Sequence, residues 1–307
     1  MADYFNLDIG QSVQSERGVW YRNIQFLGAG GNAVTFLVLC TSGHHRGVLF
    51  ALKVFRVISS DERRRKFLQE REFLETGCNH PSIMRVFDTG VFSHGDDDYP
   101  FVVSEYLPFT MADRIRERSA SMVEKLSYTL QLLSALEYLD SLPNPVVHRD
   151  VKPHNIFLKG QSCVLGDFGL MKLIESEVEI DRAIFKESML PGMPRFYRTP
   201  DLIAYANNEA GITTKSDVFQ LGLVVAELFT GRNPAIAPPV DNLLAPLQME
   251  ALQWVPGRIG SGIAALIRRM LVVNPLEREP ASRLIDPWRG AFDDAITRAH
   301  ELEGRAF

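Results

Sequence analysis

Apolar residues recur with two different periods along this chain, and the change from one to the other predicts two regions. From Tyr21 the sequence reads YRNIQFLG, GAGGNA and VTFLVLC, a pattern of strand, glycine turn and strand. Val48 opens VLFALKVFRV, whose alternation and β-branched and aromatic content predict a third strand with Lys53 inside it. Residues 60–75, SDERRRKFLQEREFLE, predict a helix capped by Ser60 or Asp61, with Phe67, Phe73 and Leu74 inward and a charged outer face. Two further strands are expected at about 83–92 and 100–106, with GDDD as their turn. Residues 1–20 show no clear periodicity and read as a lead-in.

From Met111 a helical period takes over, so a boundary is expected near 107–110. Residues 121–142 predict a long helix with Leu126, Leu130, Leu133, Ala135 and Leu139 on its core side, ended by Pro143 and Pro145. Residues 216–231, SDVFQLGLVVAELFTG, carry few charges and predict a helix buried almost all round. From Trp288 onward a short charged helix is expected to pack on the second region. The class is α+β, without internal repeats.

Composition narrows the functional classes. With 307 residues, 46% hydrophobic and 23% charged, the chain is long enough for two lobes with separate cores and too apolar for disorder. A net charge of -5 gives no sign of the Lys and Arg excess that a nucleic-acid surface carries. Cys40, Cys78 and Cys163 lie far apart and form no C-x-x-C pair, which favours small buried hydrophobes over a disulfide framework or a zinc site. The opening MADYFNLDIG has no basic segment followed by an apolar core, and no stretch approaches about 18 uninterrupted apolar residues. A cytoplasmic protein with no membrane partner is the expectation.

Residues 147–170, VHRDVKPHNIFLKGQSCVLGDFGL, carry the candidate chemistry. Asp150, Lys152, Asn155 and Asp167 stand among apolar and β-branched neighbours, where an unpaired charge costs several kcal/mol, about 2–7 even for a neutral polar group. A metal ion or a reacting phosphate would supply their partners. Gly28, Gly30 and Gly31 have no side chain to keep a phosphate from backbone N–H groups. Lys53 needs an anionic partner, for which Glu70 and Glu72 on the predicted helix compete.

The ordered set H-R-D-V-K-P-H-N at 148–155 and D-F-G at 167–169 resembles the catalytic loop and metal-binding triplet of protein kinases of the eukaryotic serine/threonine type. The resemblance implies a two-lobed catalytic domain over 21–290, with a small β-rich N-lobe of one main helix at about 21–107 and a larger, mostly helical C-lobe at about 108–290. Residues 291–307 are then a C-terminal helical tail. It implies ATP as cofactor with Mg²⁺, Mn²⁺ serving as substitute, and protein substrates for a chain that is a monomer or transient dimer. Asp150 would accept the proton of the substrate hydroxyl, Lys152 would hold the transferring phosphate, and Asn155 and Asp167 would ligate the metal. Gly28 and Gly30 would cover the phosphates, and Lys53, fixed by Glu70, would bind two of them. Leu27, Ala51 and Phe157 would sandwich the base, with Ser104 as gatekeeper and Glu105 to Leu107 as hinge. Gly169 would permit the turn beside the metal, with Phe168 packed under the helix that carries Glu70. Asp217 would hold the catalytic-loop backbone, and Asp201, in Thr199-Pro200-Asp201, would pair with Arg278.

The resemblance also makes Arg149 the contact for a phosphorylated residue between Asp167 and Asp201. Ser176 and Ser188 are the candidates, with the carboxylates of Glu175, Glu177 and Glu179 as rivals for the same role. Three positions depart from the family pattern: Ala33 replaces the third glycine, Thr35 the following valine, and Pro194 a threonine whose hydroxyl would help arrange Asp150. Lys152 favours the serine/threonine class. A nucleotide-binding scaffold without transfer activity is the alternative that Pro194 motivates.

Overall fold

The computed structural model describes residues 6–30, 33–55, 78–94, 97–168, 172–173, 178–186, 193–236, 246–249, 252 and 260–301. The predicted helix at 60–75, with Ser60, Asp61, Phe67, Glu70 and Glu72, lies outside them, as do Gly31, Gly169, Glu175, Ser176, Glu177 and Ser188. Two compact units divide the chain: one of Met1–Asn79 and Ile83–Pro108, the other of His80–Ser82 and Phe109–Phe307.

The first unit is built on an antiparallel six-stranded sheet in the order β1-β2-β3-β4-β6-β5. Its strands are β1 (Ser12–Gln14), β2 (Trp20–Ala29), β3 (Ala33–Cys40), β4 (Leu49–Phe55), β5 (Val86–His94) and β6 (Asp97–Glu105). Alternation sets the two faces. In β4, Phe50, Leu52 and Val54 are buried in the core while Ala51, Lys53 and Phe55 occupy the other, half-buried face. The lead-in reading at 1–20 needs correction: Leu7 and Val13 are each 2% exposed in this core, and β1 pairs with β2. A three-residue strand contributes one buried position and so has no period to read. Asn23 fixes the segment, donating from Nδ2 to the Leu7 carbonyl at 2.6 Å. Asp97 and Asp98, expected in the turn, pair within the ladder opposite His94 and Ser93.

In the second unit α1 (Met111–Glu117) and α2 (Met122–Ser141) each start with a capping box, Thr110 with Asp113 and Ser121 with Glu124. Such a cap stabilises a helix by about 1 kcal/mol. Leu126, Leu133, Ala135 and Leu139 of α2 are buried; Leu130 is half-buried. After α2 come β7 (Val146–Val147), a hairpin of β8 (Ile156–Lys159) and β9 (Ser162–Leu165), and β10 (Lys172–Leu173), which pairs with β7. Among the described residues five helices follow: α3 (Val178–Ile184), α4 (Pro200–Ala206), α5 (Lys215–Thr230), α6 (Gly260–Met270) and α7 (Ala281–Glu301).

Helix α5 is the buried axis of this unit, with every residue from Ser216 to Ala226 buried. Gly231 ends it in the left-handed region at φ 74°, where glycine carries no steric penalty. Gly222 allows a close approach, since a Cβ there would lie 2.9 Å from atoms of Met270 and Leu271. The boundary expected at 290 falls inside α7, which runs on without a break because Trp288 and Ala295, both 0% exposed, anchor the same face.

Candidate active site

The loop between β7 and β8 gathers three of the four polar residues singled out in the sequence. Lys152 Nζ lies 2.9 and 2.7 Å from the two carboxylate oxygens of Asp150. Asn155, at the end of the 3-10 turn Pro153–Asn155, donates from Nδ2 to the Asp150 carbonyl at 2.9 Å and to its Oδ2 at 2.7 Å. Both amide hydrogens are thereby committed, and the amide oxygen Oδ1 is the atom left to face a ligand. Burial raises the Asp150 carboxyl above the usual carboxylate range. Lys152 opposes this, the nearby charge of Asp167 adds to it, and the hydrogen bond from Asn155 lowers it again. A carboxylate so raised is a better proton acceptor than a solvated one.

The loop backbone is held at nearly every polar group. Asp217 on α5 accepts the N–H of His148 at 2.7 Å and of Arg149 at 2.8 Å. The Asp150 N–H donates to His148 Nδ1 at 3.2 Å, so the ring proton sits on Nε2, which donates to the Gly166 carbonyl at 3.0 Å. Gln220, one helical turn after Asp217, accepts the Val151 N–H at 2.9 Å and donates to the carbonyls of Arg149 at 3.1 Å and Tyr197 at 2.9 Å. Sequence reasoning passed over Gln220. The signal was an uncharged amide in a helix expected to be buried all round, where it must find partners. Arg149 and Asp167 adopt left-handed backbone, φ 67° and 58°, a strain of about 1–3 kcal/mol each that persists only where the surroundings over-determine it. Phe168 packs edge-on against His148, 4.5 Å between ring centroids.

In the first unit the strand register brings the glycine hairpin and the lysine into one row. Gly28 stands opposite Thr35, Thr35 opposite Lys53, and Lys53 opposite Val102. Directly opposed residues share a face, so Gly28 and Lys53 lie on the same side of the sheet. Ala51 and Ser104 form the neighbouring row. A Cβ added at Gly28 would meet nothing within 4 Å, and the Gly30 N–H closes the hairpin on the Ala33 carbonyl at 2.8 Å. Leu27 is exposed at the end of β2, Glu105 and Leu107 are half-buried before the division at Pro108, and Phe157 belongs to the second unit, on β8.

Residues 21–288 match the sequence profile of the family described as protein kinase domain. The chain belongs to the protein kinase domain family. Kinase relatives include the "Probable serine/threonine-protein kinase nek3" of Dictyostelium discoideum, 26% identical over 276 residues that make up 87% of this chain and 23% of the relative. The cell cycle serine/threonine-protein kinase CDC5/MSD2 of Saccharomyces cerevisiae is 27% identical over 93% of this chain and 39% of its own length. The serine/threonine-protein kinase PrkC of Bacillus subtilis is 27% identical over 89% and 40%. This kinase chain therefore spans 23% to 40% of the length of those relatives.

Two buried ion pairs complete the kinase C-terminal unit. Arg278, 0% exposed, places its five N–H donors on Asp201 at 2.6 and 3.2 Å and on the carbonyls of Val272, Lys215 and Val273. Arg149, also 0% exposed, pairs with Asp181 of α3 at 2.8 and 3.2 Å, while its guanidinium lies 4.8 Å from the Phe185 ring. Tyr205 donates its hydroxyl to the same Asp181 carboxylate at 2.7 Å. A carboxylate does face Arg149, but the residue is Asp181. Of the expected rivals, Glu179 is exposed two residues away, and Glu175 and Glu177 lie outside the described residues. Nothing in the sequence separates Asp181 from the other acids of ESEVEID.

Among the described residues no group of three His, Cys, Asp or Glu could hold a metal by itself, and none is long and apolar enough in one helix to cross a membrane. A cation of the Mg²⁺ type does not need such a cage, since one or two protein oxygens and substrate phosphates complete its shell. The orientation imposed on Asn155 fits that requirement.

Proposed function

We propose that this chain is an ATP- and Mg²⁺-dependent serine/threonine-protein kinase that transfers the γ-phosphoryl group to protein hydroxyls, its own included. The observation that carries the reading is the buried Asp150, raised in proton affinity and bridged by Lys152 and Asn155. Transfer asks the protein for alignment and charge neutralisation more than for covalent chemistry. Bound Mg²⁺-ATP supplies the electrophilic phosphoryl group.

The chain's own residues do the rest. Asp150 orients the incoming hydroxyl and takes its proton at the carboxylate. Lys152 has two of its donors on Asp150, and a third would hold the transferring phosphate. Asn155, through Oδ1, and Asp167 would hold the metal. Gly28, Gly30 and Lys53 would meet the phosphates from the sheet face they share, with Glu70 fixing Lys53, and Leu27, Ala51, Phe157 and the backbone of Glu105 and Leu107 would take the base.

Wild-type chain incubated with labelled ATP and Mg²⁺ is expected to label itself and a generic protein substrate, and Asp150→Asn and Lys53→Met are expected to abolish transfer. Nucleotide binding without transfer by the wild type would establish the scaffold reading instead.

A further inference from the structure

We propose that Gln220 is a positioning residue for phosphoryl transfer, its amide fixing the Asp150 loop against the segment that carries Tyr197. The proposal rests on the kinase reading, in which Asp150 accepts the substrate proton. Helix α5 is otherwise filled with Val, Leu, Phe, Ala and Gly around this position, and Gln220 is 0% exposed. An apolar residue would pack there as well. It would leave the Val151 N–H and the carbonyls of Arg149 and Tyr197 without the partner they now share.

The geometry requires one acceptor and two donors on a single terminal group, which only a carboxamide offers, and the shorter Asn lacks the reach. Asp217 and Gln220, three residues apart, lie on one helix face. Asp217 takes the N–H groups of His148 and Arg149, and Gln220 takes the Arg149 carbonyl and the Val151 N–H. Asp150 is thus bracketed on both sides by one rigid helix. Tyr197 is tied to the same helix twice, by its carbonyl to Gln220 and by its hydroxyl to Glu227 Oε2 at 2.6 Å. Pro194, exposed and lacking both a hydroxyl and an N–H, gives that segment no such tie of its own. Gln220 therefore sets where the base stands relative to the segment beside it.

The test compares wild type, Gln220→Met, Gln220→Glu and Asp150→Asn as full chains, with unfolding midpoints measured alongside transfer. Gln220→Met is expected to lower kcat about 10- to 100-fold while KM for ATP stays within about twofold, because misplacement by about 1 Å costs on that scale. Amide exchange at Val151 should accelerate in the same variant. Gln220→Glu keeps an acceptor for the Val151 N–H but places its other oxygen against the two carbonyls when ionised, and regains one O–H donor when protonated. Its kcat relative to wild type should therefore recover as pH falls from about 8 to about 6. This arm carries the test if Gln220→Met does not fold.

A folded Gln220→Met with wild-type kcat, or a Gln220→Glu pH profile parallel to wild type, overturns the proposal while an inactive Asp150→Asn keeps the kinase reading intact. A wild type that transfers nothing overturns both.

Discussion

Replacing Asp181 by alanine would take away the carboxylate that the Arg149 guanidinium pairs with in the core of the second unit. Arg149 is 0% and Asp181 5% exposed at the side chain, so solvent cannot take over the lost charge. Removing one partner of a pair buried this deeply costs about 3–5 kcal/mol. Tyr205 would lose the acceptor of its hydroxyl as well, worth about 1–3 kcal/mol. The contact with the Phe185 ring is present in both chains and offsets none of this. A loss of about 4–8 kcal/mol is expected, a large part of the roughly 5–15 kcal/mol that holds a domain folded. Urea unfolding gives the number directly, as a lowered midpoint at unchanged slope. Tyr205→Phe, which keeps the ion pair, should lose only about 1.5–3 kcal/mol, so the two variants rank the contributions. An Asp181→Ala loss below about 1 kcal/mol would refute the view that this pair is buried and mutually dependent.

With Arg149 already engaged by Asp181, the Ser176→Ala, Ser188→Ala double variant prepared free of phosphate is expected to transfer phosphate at near the wild-type rate; a loss of more than about tenfold, roughly 1.4 kcal/mol in the barrier, would restore a phosphorylation requirement. Arg278→Lys keeps the charge but offers three donors where five are used, leaving two acceptors bare at about 1–3 kcal/mol each; a denaturation midpoint equal to wild type would contradict the assignment. Burial pushes the Asp217 carboxyl up to about 7, against the two backbone N–H groups and Arg149 that hold its charge, while 3.8 is its ordinary value. Between those values the folded chain binds a proton that the unfolded chain has released, so stability falls as pH rises toward 7, by up to about 1.4 kcal/mol per unit. Asp217→Asn should flatten that slope, and an unaltered pH dependence of the unfolding midpoint would speak against it. Gly222→Ala forces a methyl group to within 2.9 Å of Met270 and Leu271 and should cost about 1–3 kcal/mol by thermal unfolding, with no loss meaning that α5 and α6 can separate.

What could be read in advance was what side-chain chemistry makes conspicuous. Asp150 and Asn155 are charged or amide groups in an apolar run, and burial obliges such groups to find partners, so both pointed to a site before any contact was known, while Asp217 and Arg278 were placed by resemblance to protein kinases. The strand at β4 was legible because a half-buried face enforces alternation. Asp181 was not legible, because it sits among other acids and only the fold decides which of them turns inward. Gln220 was passed over, although it is an uncharged amide in a helix expected to be buried all round. Leu7, Val13 and β1 escaped because their burial depends on pairing with β2 and on Asn23 reaching back to the Leu7 carbonyl, contacts between segments that no local period encodes. The continuity of α7 through residue 290 goes with Trp288 and Ala295 sharing one buried face.

The row that aligns Gly28, Thr35 and Lys53 makes the first unit intolerant of length changes within its strands. Side chains alternate along β4, so a single-residue insertion or deletion between Leu49 and Lys53 would exchange Lys53 with Leu52 and turn the ammonium into the apolar core. The segment at 41–48 that joins β3 to β4 can absorb added residues without that exchange, because the ladder beyond it keeps its pairing. A library of single-codon insertions across 33–55 should therefore divide sharply, with variants in the connecting segment keeping the fold and those inside β3 or β4 losing soluble expression.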